Sequence, residues 1–408
     1  MKRKTNLLQT YRGLPKEVYI LFFGKMINCI GAFVFPLLSL ILTQKIGLTV
    51  KEAGSLVTFA AILQAPCIIL GGKLVDSVGR KKVIVIFQGI ASILFIVCGF
   101  INPSKKLAYM IIVAACFSSF ANPAYDSMVG DITTKENRKA SFSLIYMGLN
   151  LGFSVGPIIG GLLYENYLPL VFIGDAITTL ISLSLITIFI KETHVKNEDE
   201  KNSSDEFESE ESGSVIKVFL KRPILIYFAL IMLTFQFAYS QWGFAIPIQL
   251  GSIFGSKGAK YFGLLSGCNG ILVIILTPIL TACTRKIDIL KIISFGGLLY
   301  AIAFGLCGFI EILPMFFMAI AIMTLGEVAI STNSGTFITN LTPASHRGRV
   351  NAVIPLIYGT GNAIGPFIMG NMLESYGVTT SWMVISIVVL VGSVFMYLLR
   401  FNKLLRKN

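Results

Sequence analysis

Apolar positions along this chain come in long unbroken runs, separated by short polar breaks, rather than at the spacing of a soluble amphipathic helix or strand. A helix needs about 20 mostly apolar residues to cross a bilayer. On that rule the pattern predicts twelve membrane-spanning helices, six of them at 15–43, 50–72, 82–102, 107–129, 140–163 and 167–190. The other six fall at 223–249, 259–283, 288–310, 312–339, 349–372 and 380–400. The one long polar stretch, 191–222, lies between the sixth and seventh runs. Its segment Glu198 to Glu211 is acidic, Ser-rich and without apolar periodicity, which predicts a solvated linker. The expected architecture is an all-α polytopic membrane protein: an N-terminal six-helix half (1–190), a cytoplasmic charged linker (191–222) and a C-terminal six-helix half (223–408).

An internal repeat points to the same two halves. The run Arg138…Gly152-Phe-Ser-Val-Gly156-Pro157-Ile-Ile-Gly160-Gly161…Glu165-Asn-Tyr167 returns 209 residues later. There it reads Arg347…Gly361-Asn-Ala-Ile-Gly365-Pro366-Phe-Ile-Met-Gly370…Glu374-Ser-Tyr376. The fifth and eleventh runs are therefore expected to hold equivalent places in related halves, as in transporters built from internal repeats.

Composition changes the picture in one respect. The chain is 54% hydrophobic and only 13% charged, with a mean hydropathy of +0.77, which excludes an ordinary soluble domain. The net charge of +13 raises nucleic-acid binding as a first thought, but the basic residues gather at the ends of apolar runs. With the N-terminus inside, 27 of the 34 Lys and Arg fall on the cytoplasmic side. Six fall outside (Lys45, Lys51, Lys105, Lys106, Lys257, Lys260) and Lys25 lies within the first run. The positive-inside rule then predicts both termini in the cytoplasm. The run starting at Val18 is too long for a signal peptide and is expected to remain as the first spanning helix.

Seven cysteines are scattered singly and read as small hydrophobes. His194 and His346 have no second ligand at metal spacing, so no metal or cofactor is expected. No G-x-x-x-x-G-K-[ST] occurs, so energy is expected from an ion or substrate gradient.

After the second run the chain reads Gly71-Gly72-Lys73-Leu74-Val75-Asp76-Ser77-Val78-Gly79-Arg80-Lys81-Lys82. This resembles the loop 2–3 signature of the major facilitator superfamily, G-x-x-x-D-x-x-G-R-[KR]-[KR]. The resemblance implies a conformational latch formed by Gly72, Asp76, Gly79, Arg80 and Lys81. Glycines permit a tight turn, Asp76 can face a helix N-terminus, and Arg80 can pair with Asp131 at the end of the fourth run. In the fifth run, Gly152-x3-Gly156-Pro157-x2-Gly160-Gly161 resembles the motif of proton-coupled drug exporters of that superfamily. Ser143 stands where the fuller pattern has a glycine, and Ala108 to Met128 lacks the arginine such exporters often carry. Four-residue glycine spacing lets helix backbones approach closely, and Pro157 bends its helix.

An ionisable side chain costs at least about 2.5–3.5 kcal/mol at the centre of a membrane helix, so each one is a functional candidate. Four occur: Lys25, Asp126, Asp175 and Glu327. Glu327 shares a helical face with Thr324, Ser331 and Ser334, a stripe suited to a hydrated cavity, and is the leading candidate for proton coupling. Asp126 follows Asn122 and Ser119 on its face, and Lys25 with Asn28 lies at similar depth, so pairing between Lys25 and Asp126 would lower the cost of both. Asp175 has Thr178 and Thr179 one turn on and is read as facing external water or as a further coupling residue. Gln236, Tyr239, Gln241 and Trp242 offer aromatic faces beside amides, suited to a planar or cationic ligand or to an interfacial belt. Together with Asn28, Asn122 and Ser331 they are the substrate-cavity candidates.

The resemblance implies a secondary transporter, not an enzyme, that exports hydrophobic drug-like compounds in exchange for protons. It would act as a monomer in a bacterial-type cell membrane, with the lipid bilayer as its surroundings and no nucleic-acid partner. Transport of a small metabolite on the same fold, or a non-transporting sensor, are the alternatives.

Overall fold

The computed structural model describes residues 11–134, 136–193, 219–220, 222–342 and 347–401, and these are almost entirely helical. The N-terminal basic cluster, the acidic stretch within 191–222, His194 and His346 lie outside the described residues. In chain order the helices are α1 (Lys16–Ile30), α2 (Val34–Leu40), α3 (Val50–Val78), α4 (Arg80–Phe100), α5 (Lys105–Asp131), α6 (Arg138–Leu163) and α7 (Leu168–Phe189). There follow α8 (Ile224–Phe254), α9 (Gly258–Thr284), α10 (Ile289–Cys307), α11 (Leu313–Leu341) and α12 (Arg347–Leu398).

Ten helical runs among the described residues are long and apolar enough to cross a membrane, so this is a multi-pass membrane protein. The sequence pattern predicts twelve. The difference arises at two places where helix continues through an expected loop: Ile224–Thr284 spans 61 residues and Val353–Phe401 spans 49. Each contains one glycine with a left-handed φ, Gly255 at 58° and Gly377 at 76°, and Gly377 interrupts the helical conformation of α12.

Helix is the natural answer to these sequences, because it satisfies every backbone N–H and C=O within the segment. Large side chains such as Ile69, Phe100 and Leu356 remain exposed on the described surface, as expected of faces that meet lipid. Cysteines follow the small-hydrophobe reading only in part: Cys29, Cys98 and Cys307 are buried, whereas Cys283 is exposed.

The chain forms two compact units. The first comprises Met1–Leu48, Phe59–Val195 and Leu250–Gly270, the second Thr49–Thr58, Lys196–Gln249 and Ile271–Asn408. In the first, α1 packs on α6 and α7, while α4 packs on α5 and α7. Its core includes Leu21, Val75, Ile84, Met128, Val129 and Ile186, directly beneath the α3–α4 connection. In the second, α10 packs on α11 and α12. Asp288 caps α10, its Oδ1 accepting the Lys291 N–H at 3.2 Å.

The predicted first spanning helix is broken. Gly31, Ala32 and Phe33 separate α1 from α2, and a Cβ at Gly31 would lie 1.7 Å from Thr178 Oγ1 of α7. The contact with α7 leaves no room there for any side chain.

Candidate functional site

Four groups of residues carry chemistry. The first is the α3–α4 connection. α3 runs to Val78 and α4 starts at Arg80, so a single residue, Gly79 (φ 113°, ψ 156°), makes the turn. This backbone region is open essentially to glycine alone. Gly72, expected in a turn, is instead helical and meets open space, whereas Gly71 presses on the Phe120 backbone, where a Cβ would lie 2.2 Å from the carbonyl oxygen. Arg80 Nε lies 2.8 Å from Asp131 Oδ2, and Thr193 Oγ donates to the same oxygen at 3.1 Å.

The carboxylate at the α4 N-terminus is Glu192, not Asp76 as the sequence pattern suggests. Its two oxygens accept the N–H groups of Lys81 and Lys82, each at 3.1 Å, the position that orphan N–H groups and the helix dipole favour for an anion. Lys81 Nζ in turn donates to the Thr187 and Ile190 carbonyls at the end of α7, at 2.7 and 2.8 Å. Asp76 is exposed and has no hydrogen bond or ion pair among the described residues. A sequence reading could flag Glu192 only as one acid beside Lys191, because nothing local says which helix end it reaches.

The second group lies inside the first unit, in two adjoining cavities. One, of about 220 Å³, is polar: Lys25, Asn28, Gln64, Gln88, Asn122 and Asp175 all line it. The other, of about 310 Å³, is lined mainly by apolar and aromatic side chains, Tyr125, Phe142 and Tyr146 among them, together with Asp126. Lys25 and Asn122 line both. The expected Lys25–Asp126 ion pair does not form. The ammonium instead stands over the Tyr125 ring, 5.0 Å from its centroid, a cation–π contact.

Asp175 does not face external water. It is only 7% exposed, and its Oδ2 accepts the Val34 N–H at 3.4 Å across the helix break. Asn28 Nδ2 donates to Thr179 Oγ at 2.8 Å, and Ser119 Oγ donates to Gln64 Oε1 at 3.0 Å. The sequence singled out Asn28 and Asn122 but passed over Gln64 and Gln88, uncharged polar residues in apolar runs that the same reasoning would have flagged.

The third group is in the second unit. Glu327 of α11 is half-buried and its Oε1 accepts the Tyr239 hydroxyl of α8 at 2.9 Å. The Tyr239 ring stacks on Tyr300, with centroids 6.0 Å apart. The polar stripe around Glu327 is not open along its length: Thr324 and Ser334 are buried, while Ser331 is exposed. Gln236 and Trp242 are half-buried. Gln241 has its Oε1 buried without a partner among the described residues. It is fully buried and donates to the Phe237 carbonyl and Ser240 Oγ, both at 2.9 Å, because its face of α8 packs against Gly365.

The fourth group is the glycine face of α6 and its repeat. Cβ atoms at Gly152 and Gly156 would each lie 2.7 Å from α1 carbonyls, those of Met26 and Cys29, and one at Gly160 would meet Phe33. In α12, a Cβ at Gly361 would likewise lie 2.3 Å from the Leu233 carbonyl oxygen. The 209-residue repeat extends to partners. Within the first unit a Cβ at Gly263 would lie 2.3 Å from the Pro157 carbonyl oxygen and one at Gly161 2.5 Å from that of Ala259. Within the second, a Cβ at Gly54 would lie 2.2 Å from the Pro366 carbonyl oxygen and one at Gly370 2.7 Å from that of Val50. Both members of each contact are shifted by the same interval. Missing side chains make these backbone approaches possible.

Comparison with known proteins gives a sequence model described as the Major Facilitator Superfamily, matching residues 21–296 and 243–406. A Na(+), Li(+), K(+)/H(+) antiporter of Planococcus maritimus is 24% identical over 357 residues, covering 82% of this chain and 84% of that protein. The quinolone resistance protein NorA of Staphylococcus aureus is 24% identical over 271 residues, covering 61% of this chain and 66% of its own. Among solved structures, a peptide transporter POT in complex with sulfate superposes with a TM-score of 0.75 at 17% identity, covering 96% of this chain and 97% of that one. A bacterial homolog of the human lysosomal transporter Spinster gives 0.75 at 16%, covering 94% and 96%. At these identities the structural matches speak for the fold.

Proposed function

The chain belongs to the Major Facilitator Superfamily, whose members are transporters, and from that premise we propose that it exports small hydrophobic, drug-like compounds in exchange for protons. In this reading Gly255 and Gly377 turn the two long helical runs back across the bilayer. The ten runs then make twelve crossings, in halves 1–190 and 223–408 joined by 191–222. The protein works as a monomer in a bacterial cell membrane, with both termini cytoplasmic.

The observation that carries the reading is the Glu327–Tyr239 hydrogen bond. A carboxylate within a membrane helix is costly to keep, and a phenol at hydrogen-bond distance can hold it in place through each change of charge. The mainly apolar and aromatic cavity beside Asp126 is suited to an organic body, and its acid to a polar or cationic end. Arg80, Asp131, Lys81 and Glu192 join the ends of α3, α4, α5 and α7, where a latch on the cytoplasmic side would act.

The test is uphill efflux of fluorescent drug-like substrates from proteoliposomes under an imposed pH gradient. Wild type should concentrate substrate against its gradient. Glu327→Gln should bind substrate yet equilibrate it only downhill, and full uphill efflux by that variant would remove the coupling role.

A second reading, exchange of an alkali cation for protons, is supported by the Planococcus maritimus relative and by the oxygen-rich cavity of the first unit. Sodium efflux under the same pH gradient separates the two.

A further inference from the structure

We propose that the polar cavity bounded by α1, α3, α4, α5 and α7 in the first unit is a binding site for a small alkali cation, sodium or lithium, centred on Asp175. The inference deepens the second reading above by naming where such an ion binds.

Four features of the cavity converge. The first is its donor set. Asp175 and Gln88 are more than nine-tenths buried, and with Asn28 and Asn122 they line one space, their side chains carrying carboxylate and amide oxygens. Hard monovalent and divalent cations of the alkali and alkaline-earth type take such oxygen ligands.

The second is unused valence. Asn28 and Gln88 spend their side-chain N–H groups on Thr179 and Ser118, which leaves their oxygens without a donor among the described residues. Asn122 has no hydrogen bond there at all. Polar oxygens left over at membrane depth cost several kcal/mol each in hydrocarbon, so water or an ion must meet them.

The third is charge. Lys25 carries one positive charge against Asp175 and Asp126 in the paired cavities. With all three ionised the net charge is −1, and one more cation neutralises the group, a strong demand in a low-dielectric interior. Lys25 is not committed to either acid. Its ammonium rests over Tyr125 between the two cavities, so an entering ion does not have to break a salt bridge.

The fourth is the broken helix. Cys29, in the last turn of α1, and Ala32, in the gap before α2, line the same cavity. Unwound backbone and the negative C-terminal end of a half-helix are what discontinuous membrane helices use to hold cations. A volume of about 220 Å³ holds an alkali ion and several waters, at about 30 Å³ per water.

The experiment is equilibrium binding of radioactive sodium to the purified full chain in detergent, at fixed pH, with choline chloride holding ionic strength constant. Wild type should bind sodium saturably, with lithium displacing it and choline failing to. Asp175→Asn keeps an acceptor for the Val34 N–H and should weaken sodium binding by about tenfold or more. Gln88→Leu and Asn122→Leu should each weaken it several-fold while melting as wild type does without sodium, which keeps the test decisive should Asp175→Asn fail to fold. Lys25→Met should bind sodium at least as tightly. No saturable sodium binding by wild type overturns the site. So does binding that survives Asp175→Asn, Gln88→Leu and Asn122→Leu undiminished. Sodium that binds but is never exchanged for protons in proteoliposomes sinks the exchange reading and leaves the site standing.

Discussion

The carboxylate of Glu192 occupies the space in which a side chain at Gly79 would have to sit: a Cβ there would lie 2.7 Å from its Oε2. Gly79 is thus required twice, by a backbone conformation costing other residues about 1–3 kcal/mol and by the acid that caps α4. Gly79→Ala should lower thermal stability measurably. Glu192→Ala should cost about 1 kcal/mol, as cap losses do. In a double-mutant cycle, Glu192→Ala should relieve the steric part of the Gly79→Ala penalty and leave the backbone part. Additive effects in that cycle would mean that Glu192 does not sit against Gly79.

Tyr239 holds Glu327 through one hydrogen bond. Tyr239→Phe removes the hydroxyl and little volume. Efflux driven by a pH gradient should fall about tenfold, in keeping with the 1.5–3 kcal/mol typical of bonds to charged groups, while expression and melting stay near wild type. Unchanged coupled efflux would show that the phenol is only a neighbour.

Asp76 is exposed and unpaired among the described residues, so Asp76→Asn should change stability by no more than about 0.5 kcal/mol. On the latch reading it should slow substrate exchange while equilibrium substrate affinity stays within a few-fold. A large affinity loss at normal exchange rate would instead make Asp76 part of a binding site.

Not all glycines of the motifs are equivalent. A Cβ at Gly54 or Gly263 would lie 2.2 or 2.3 Å from a proline carbonyl oxygen, whereas one at Gly72 would meet nothing within 4 Å. Gly54→Leu, Gly263→Leu and the neighbouring Gly156→Leu should each cost about 1–3 kcal/mol of overpacking and impair transport in similar measure. Gly72→Leu should insert, melt and transport normally. Transport counts and melting temperatures on the four variants decide it, and a damaging Gly72→Leu would contradict the packing account.

The sequence by itself determined where most helices lie, because a run of about 20 apolar residues has one stable backbone solution in a bilayer. It also determined the 209-residue repeat, the Arg80–Asp131 pairing candidate and the four charges within apolar runs, since each is legible from residue type and position along the chain. At the expected breaks 249–259 and 372–380 the chain departs from α-helix only briefly, around Gly255 and Gly377. Only the tertiary structure decided which acid caps α4, because Glu192 reaches Gly79 from more than a hundred residues away. It alone placed Gln241 beside Gly365, and brought Gln64 and Gln88 to the space that Asp175 and Lys25 share. Helical periodicity sets which residues share a face. What that face meets depends on how each helix is rotated against its neighbours, and in segments apolar on all sides the pattern leaves that rotation undetermined until small residues such as Gly263 and Gly365 find their partners.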